Sequence, residues 1–159
     1  STHQRERNRE RPRRRTASVI AYFDTSALVP LMINEPASDT CRRLWNDATR
    51  TISTRLIYPE ARAALAQAER MGRLTSADLA EAVEDLDSIT RQIDYVEITA
   101  HLAESAGDLA QTHGLRGYDA VHLASAALAN DDELVMVTGD SKLGAAAQSI
   151  GISVAFTAT

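Results

Sequence analysis

The sequence predicts an α/β fold built on a mainly parallel sheet. Two runs, residues 19–23 and 133–138, are mostly apolar and rich in β-formers, without the alternation of a strand that has one wet face. Both suit strands buried on both sides. Strand-like and helix-like stretches also alternate from end to end, the pattern of successive βαβ units. Right-handed crossovers would bring the C-terminal ends of such strands to one edge.

The first strand, residues 19–23, runs directly into Asp24, with Thr25 and Ser26 behind it. A carboxylate at the end of a buried strand is costly unless something pairs with it. Alone, Asp24 reads as the cap of the following helix. Residues 25–33 read as that short helix, with Pro30 inside or kinking it. Glu35-Pro36 is a break, and residues 38–47 form a second helix with Leu44 and Trp45 inward and Arg42 and Arg43 on a solvated face. A short weak strand follows at 51–54.

Tyr58-Pro59-Glu60 opens the next helix, with Pro59 at its first position and Ala61, Ala64, Leu65 and Ala68 at helical spacing. Glu60 then sits in the first turn, where complementing the helix dipole is sufficient reason for an acid. Gly72 ends the helix. Residues 75–90 form another, capped by Thr75 or Ser76, with Leu79, Val83, Leu86 and Ile89 on one side. Its acids Asp78, Glu81, Glu84, Asp85 and Asp87 are expected to face solvent. A strand at 94–98 and a helix at 99–113, closed by Gly114, come next. His101 and His113 have no partner at metal-ligand spacing and read as surface or cap residues.

From Asp119 a helix runs through Ala120-Val-His122-Leu-Ala-Ser-Ala-Ala-Leu128, apolar nearly all round and therefore central. Asp119 sits at its start and, taken alone, reads as an ordinary N-cap. After the strand at 133–138, Gly139-Asp140-Ser141 leads into a short helix to about residue 150, and residues 152–156 form the last strand.

Composition narrows the function. A chain of 159 residues suits one domain with a real core, and with 44% hydrophobic but only 4% aromatic residues that core is made of Ala, Leu, Val and Ile. The lone Cys41 excludes an internal disulfide and fits a reducing, cytoplasmic setting; it reads as a small residue on a helix flank. Nothing approaches the roughly 18–20 apolar residues that cross a bilayer. Net charge is −5, unevenly spread. Seven Arg and two Glu in the first fifteen residues leave −10 on the remainder, where Lys142 is the single lysine. Such a body does not hold nucleic acid by charge alone, but suits acids gathered around cations. Residues 1–18 read as a disordered Arg-rich tail, either without a role or foreign to the natural start; contact with RNA or an acidic partner is the competing reading. Asp24, Pro30 and Asn34 argue against a secretory signal.

Asp24 and Asp140 follow buried strands on the same edge, and Glu60 and Asp119 begin helices that can face the same crevice. Four carboxylates there repel unless cations neutralise them. Oxygen donors without Cys or a His pair select hard ions, Mg²⁺ or Mn²⁺, rather than zinc. Such a site suits phosphodiester hydrolysis, in which divalent ions activate water and neutralise charge on the phosphate.

Four segments, Phe23-Asp-Thr-Ser-Ala-Leu28, Pro59-Glu-Ala61, Arg116-Gly-Tyr-Asp-Ala-Val-His-Leu-Ala124 and Thr138-Gly-Asp-Ser-Lys-Leu143, together resemble the PIN-domain ribonucleases, and more closely the VapC-type toxins of toxin–antitoxin pairs. The resemblance spans residues 19–154 and implies a three-layer α/β/α domain over 19–159. It implies that Asp24, Glu60, Asp119 and Asp140 are the acidic quartet that binds Mg²⁺ or Mn²⁺ and carries catalysis. Thr25 or Ser26 matches the small polar residue that orients a carboxylate or a metal-bound water. Arg116 and His122 match positions near the site; His122 is either a neighbour of the chemistry or a satisfied core histidine. The further implications are an endoribonuclease acting on RNA, toxicity, a cognate VapB-type antitoxin carrying a basic segment, and a homodimer. The family's segments begin at the first strand, so the Arg-rich tail lies outside them, and Asp140 occupies the quartet's least uniform position. A non-catalytic binding module, with the carboxylates as caps, is the alternative. A haloacid dehalogenase-type phosphatase would need a second Asp at position 26, where Ser26 stands.

Overall fold

In a computed structural model, which describes residues 18–158, five strands form one all-parallel sheet in the order β3-β2-β1-β4-β5. The strands are β1 (Ile20–Phe23), β2 (Arg50–Thr54), β3 (Ile93–Val96), β4 (Leu134–Thr138) and β5 (Ser153–Phe156). The pleat explains why β1 shows no alternation. Tyr22 enters a core with Leu134 and Met136, while Ala21 and Phe23 point the other way, into a core with Val137 and Cys41. With both faces covered, every position of the strand is apolar.

The helices divide between the faces as handedness requires. The chain leaves β1 through α1 (Thr25–Leu28) and α2 (Ser38–Asp47), and leaves β2 through α3 (Ile57–Arg70) and α4 (Ser76–Thr90). From β3 it crosses back through α5 (Ala100–His113) and α6 (Gly117–Ala129) to β4, and reaches β5 through α7 (Ser141–Ser149). Sheet growth thus reverses direction after β3. With crossovers of constant hand, reversal sends the later helices to the opposite face. Accordingly α5, α6 and α7 share one core with Tyr22, Ile52 and Met136, and α1 to α4 pack in the cores of the other face. The result is the three-layer α/β/α arrangement, with a sheet that is wholly rather than mainly parallel.

Local differences from expectation have local causes. The helix after Asp24 stops at Leu28 and tightens into a 3₁₀ turn over Val29–Leu31, where Pro30 has no N–H to continue the α ladder. α3 starts at Ile57, so Pro59 is its third residue, still among positions whose N–H lacks an intrahelical partner. β3 runs Ile93–Val96, one residue earlier than expected at its start and two shorter at its end. Cys41 is wholly buried against the sheet rather than on a flank, and burial pushes its thiol up. Among the acids of α4, Asp87 accepts from the Tyr58 hydroxyl at 2.7 Å, and Asp78 closes a capping box with Thr75. α6 is central as expected, buried on every side over residues 122–126, and only its ends reach solvent, where Tyr118 and Leu128 are exposed. Trp45 packs edge-on to Phe23, ring centroids 5.4 Å apart. No helix of the described residues is long and apolar enough to cross a membrane. The tail expected at residues 1–18 lies, apart from Ser18, outside the described residues.

Candidate active site

The reversal of sheet growth places β1 beside β4, with connections departing to opposite faces. That junction opens a crevice beyond the strand ends, where α/β sheets bind ligands. Asp24 follows Phe23 there, and Gly139-Asp140 follows Thr138.

Asp24 is only 3% exposed. It caps α1, accepting from the Ala27 amide at 3.0 Å, so the capping expectation holds. A cap needs no more than that, yet two hydroxyls also donate to the carboxylate. Ser26 Oγ lies 2.7 and 2.9 Å from its two oxygens, and Thr138 Oγ1 lies 2.6 Å from Oδ2. Burial pushes the carboxyl above the usual carboxylate range, while His122, Thr138, Ser26 and the Ala27 amide pull it back. Thr138 also accepts from the Asp140 amide at 3.0 Å, and Gly139 N–H donates to Ser26 Oγ at 2.8 Å. These bonds stitch the exit of β4 to the exit of β1. The close approach suits glycine: a Cβ at 139 would stand 3.0 Å from Thr157 Oγ1 and 3.5 Å from Ser26 Oγ.

Asp140 is the N-cap of α7, its Oδ1 accepting from the Lys142 and Leu143 amides at 3.0 and 3.1 Å. Asp119 is not the cap of α6. That helix starts at Gly117 with Arg116 in the cap position, and Asp119 lies in its first turn. Arg116 Nε donates to Asp119 Oδ2 at 3.1 Å, from a side chain 84% exposed to one 19% exposed. Glu60, in the first turn of α3, has its Oε1 2.8 Å from His122 Nε2. Thr25 Oγ1 is 3.4 Å from the same nitrogen, so Thr25 reaches the histidine and Ser26 the carboxylate of Asp24.

Three of the four predicted carboxylates meet at two neighbouring hollows. A cavity of about 750 Å³ has Glu60 and Asp119 in its wall, with Leu56, Arg116 and Tyr118. A smaller one of about 250 Å³ is lined by Asp119, Asp140, Arg116, Lys142 and Leu115. Asp119 is common to both. Asp24 lines neither and is tied to Asp140 through Thr138. Among the described residues no three His, Cys, Asp or Glu side chains form a group placed to hold a metal ion; Glu60 is turned to His122 and Asp119 to Arg116. The donor set nonetheless fits a hard divalent cation: carboxylate oxygens from four segments around one strand edge, no thiolate, and a single nearby imidazole with both nitrogens already engaged.

The PIN-domain sequence pattern matches residues 21–157. The chain belongs to the PIN-domain family. Two proteins of Mycobacterium tuberculosis, "Ribonuclease VapC45" of strain CDC 1551 and "Ribonuclease VapC49" of strain H37Rv, are each 43% identical to it over 136 residues, 86% of this chain and 94% of theirs. Its backbone is similar to that of FitAcB from Neisseria gonorrhoeae, with a TM-score of 0.66 at 17% identity over 86% of this chain and 97% of that one. This PIN domain is thus of the VapC type by sequence, and its parallel sheet and three layers are those that the resemblance implied.

Two participants escaped sequence reasoning. Thr138 reads as the last residue of a β-former run, and Tyr22 as one aromatic in a buried strand. The detectable signal for Thr138 was a hydroxyl ending an otherwise apolar strand directly before Gly139-Asp140; Tyr22 left none, because its partner lies a hundred residues away.

Proposed function

We propose that this PIN domain is a Mg²⁺- or Mn²⁺-dependent endoribonuclease and the toxin of a toxin–antitoxin pair. The observation that carries the reading is the gathering of Glu60, Asp119 and Asp140 around adjoining hollows, with Asp24 tied to Asp140 through Thr138, in a chain 43% identical to proteins named ribonucleases. Asp24, Glu60, Asp119 and Asp140 would hold the ion. When bound, it supplies positive charge against the clustered carboxylates and the phosphoryl group being cleaved. Ser26 and Thr138 fix the carboxylate of Asp24. Arg116 and Lys142 flank the smaller hollow, the two cations beside an acidic site on an otherwise acidic body, and would take the RNA backbone on either side of the scissile bond.

In this reading the partners are RNA, a second copy of the chain in a homodimer, and a VapB-type antitoxin whose basic segment enters the crevice; the setting is the cytoplasm. The fold neighbours include a "Toxin-antitoxin complex from Klebsiella pneumoniae" (TM-score 0.60, 20% identity over 86% of this chain and 97% of that one).

One observation favours a non-catalytic binding module instead: each of the four carboxylates already has a structural partner, as a cap, an ion pair or a histidine contact. Cleavage of total RNA by the purified chain decides between them. Discrete cleavage with Mg²⁺ or Mn²⁺ that disappears with EDTA and in Asp119→Asn is the expected result. Cleavage that survives both removes the metal site from the mechanism, and no cleavage by folded, antitoxin-free protein supports the binding module.

A further inference from the structure

His122 is 1% exposed, yet both of its ring nitrogens are engaged, and by groups from two different layers. Nδ1 stands 2.9 Å from the hydroxyl of Tyr22, on the sheet. Nε2 stands 2.8 Å from Glu60 Oε1, on α3. The two rings meet edge to face, 5.9 Å apart at 85°. An ionised carboxylate only accepts, so the Nε2 side must donate. A neutral ring that donates there accepts at Nδ1, and the O–H of Tyr22 supplies that proton. Tyr22 is wholly buried, and burial pushes its phenol up, which keeps the hydroxyl a donor. Such a histidine exceeds the needs of the core. It runs from the interior to the wall of the larger cavity and ends on one oxygen of a carboxylate that lines it.

We propose that Tyr22 and His122 form a two-link hydrogen-bonded strut whose role is to orient Glu60: Tyr22 Oη–H sets the Nε2–H tautomer of His122, and Nε2–H holds Glu60 Oε1 so that the other oxygen faces the cavity. His122 is a positioning residue, acting through Glu60 and touching neither cation nor substrate. Thr25 Oγ1, 3.4 Å from Nε2, limits rotation of the ring from the β1 side. The inference rests on the reading of Glu60 as a cation ligand. It adds that the geometry of this ligand is set from beneath the sheet edge, by a residue of β1 that never reaches the crevice. Partners that orient a metal-binding group in this way characteristically change metal affinity by about 10–100-fold when removed.

The test is Mn²⁺ binding by the full chain, followed by the spin-resonance signal of free Mn²⁺, in the parent, His122→Leu, His122→Gln and Tyr22→Phe. Glutamine can place an amide N–H close to the Nε2 position and leucine cannot. Expected are a dissociation constant raised about tenfold or more in His122→Leu, a smaller rise in Tyr22→Phe, and recovery toward the parent value in His122→Gln. A buried structural role alone would make glutamine as damaging as leucine, or more so. Should His122→Leu fail to fold, Tyr22→Phe, which removes one oxygen, carries the comparison with the parent. Imidazole ¹⁵N shifts give a second readout without any metal: the Nε2–H tautomer is expected for His122 in the parent, and the Nδ1–H tautomer overturns the proposal. Binding in Tyr22→Phe and His122→Leu as tight as in the parent overturns the strut while leaving the cation site intact. No Mn²⁺ binding by the parent overturns the cation-site reading, and the strut with it.

Discussion

Replacing Thr138 by valine removes one hydroxyl and little volume, at a residue that is wholly buried. Two short hydrogen bonds go with it, the donation to Asp24 Oδ2 at 2.6 Å and the acceptance from the Asp140 amide at 3.0 Å, along with a longer contact to Ser26 Oγ at 3.4 Å. A bond to a charged group is worth about 1.5–3 kcal/mol and a neutral one about 0.5–1.5 kcal/mol. Thr138→Val should therefore lose roughly 2–4 kcal/mol at neutral pH, a fall in Tm on the order of 5–15 °C for a domain of this size. The dependence on pH identifies the carboxylate as the cause. Burial holds the folded pKa of Asp24 above its ordinary value, so this group favours the folded state most at low pH, and that favour is lost as pH rises through the folded value. Thr138 is one of the groups that limits the loss; without it the pKa climbs further. The gap between variant and parent should be full above the folded pKa and shrink toward that of two neutral bonds as pH falls through it and Asp24 takes up a proton. Urea titration followed by fluorescence of Trp45, the single tryptophan, packed on Phe23 next to Asp24, reads the difference at each pH. A loss below about 0.5 kcal/mol, or one that does not vary from pH 4 to 8, would show that Thr138 does not support an ionised Asp24.

Other outcomes follow from the same geometry. Asp24→Asn should abolish RNA cleavage while leaving the fold as stable as the parent or more so at neutral pH, since burial opposes the charge being removed; a Tm clearly below the parent's would contradict this. Asp140→Ala should lose both the α7 cap, about 0.5–2 kcal/mol, and cleavage, whereas Asp140→Ser keeps a capping oxygen and should lose cleavage alone. Equal activity of Asp140→Ser and parent would make Asp140 only a cap. Arg116→Ala removes the guanidinium held on Asp119; because Arg116 is largely exposed, stability should move by no more than about 1 kcal/mol, while the Mn²⁺ dissociation constant falls several-fold in direct titration. A dissociation constant that rises instead would make Arg116 a supporting partner of Asp119 rather than a competitor of the ion.

Much of the fold was legible because it rests on local rules. α2 runs from Ser38 to Asp47, the span its apolar spacing implies, and Thr75 and Thr99 cap the helices they precede, each accepting from the amide three residues on. Gly114 ends α5 in a left-handed conformation, φ 62°, that favours glycine. Legibility failed where two local signals competed. Asp119 looked like a cap because Asp is a common one, yet α6 begins two residues earlier at Gly117, and the acid serves the first turn instead. Pro59 looked like a first residue, although a helix accommodates proline anywhere in its opening turn.

The sequence by itself determined the alternation of strands and helices, the burial of β1 and β4 on both faces, and the four carboxylates at strand ends and first turns, since each follows from patterns a few residues long. Only the tertiary structure decided which of those carboxylates share a hollow and what holds each one. The bond between Thr138 and Asp24 joins residues 114 apart in the chain, and that between His122 and Glu60 joins residues 62 apart. Such pairs are created by the sheet order, which brings β4 against β1, and by the reversal of sheet growth, which sends α6 to the far face. No window of sequence contains both partners, so their chemistry becomes visible only when the sheet has closed around them.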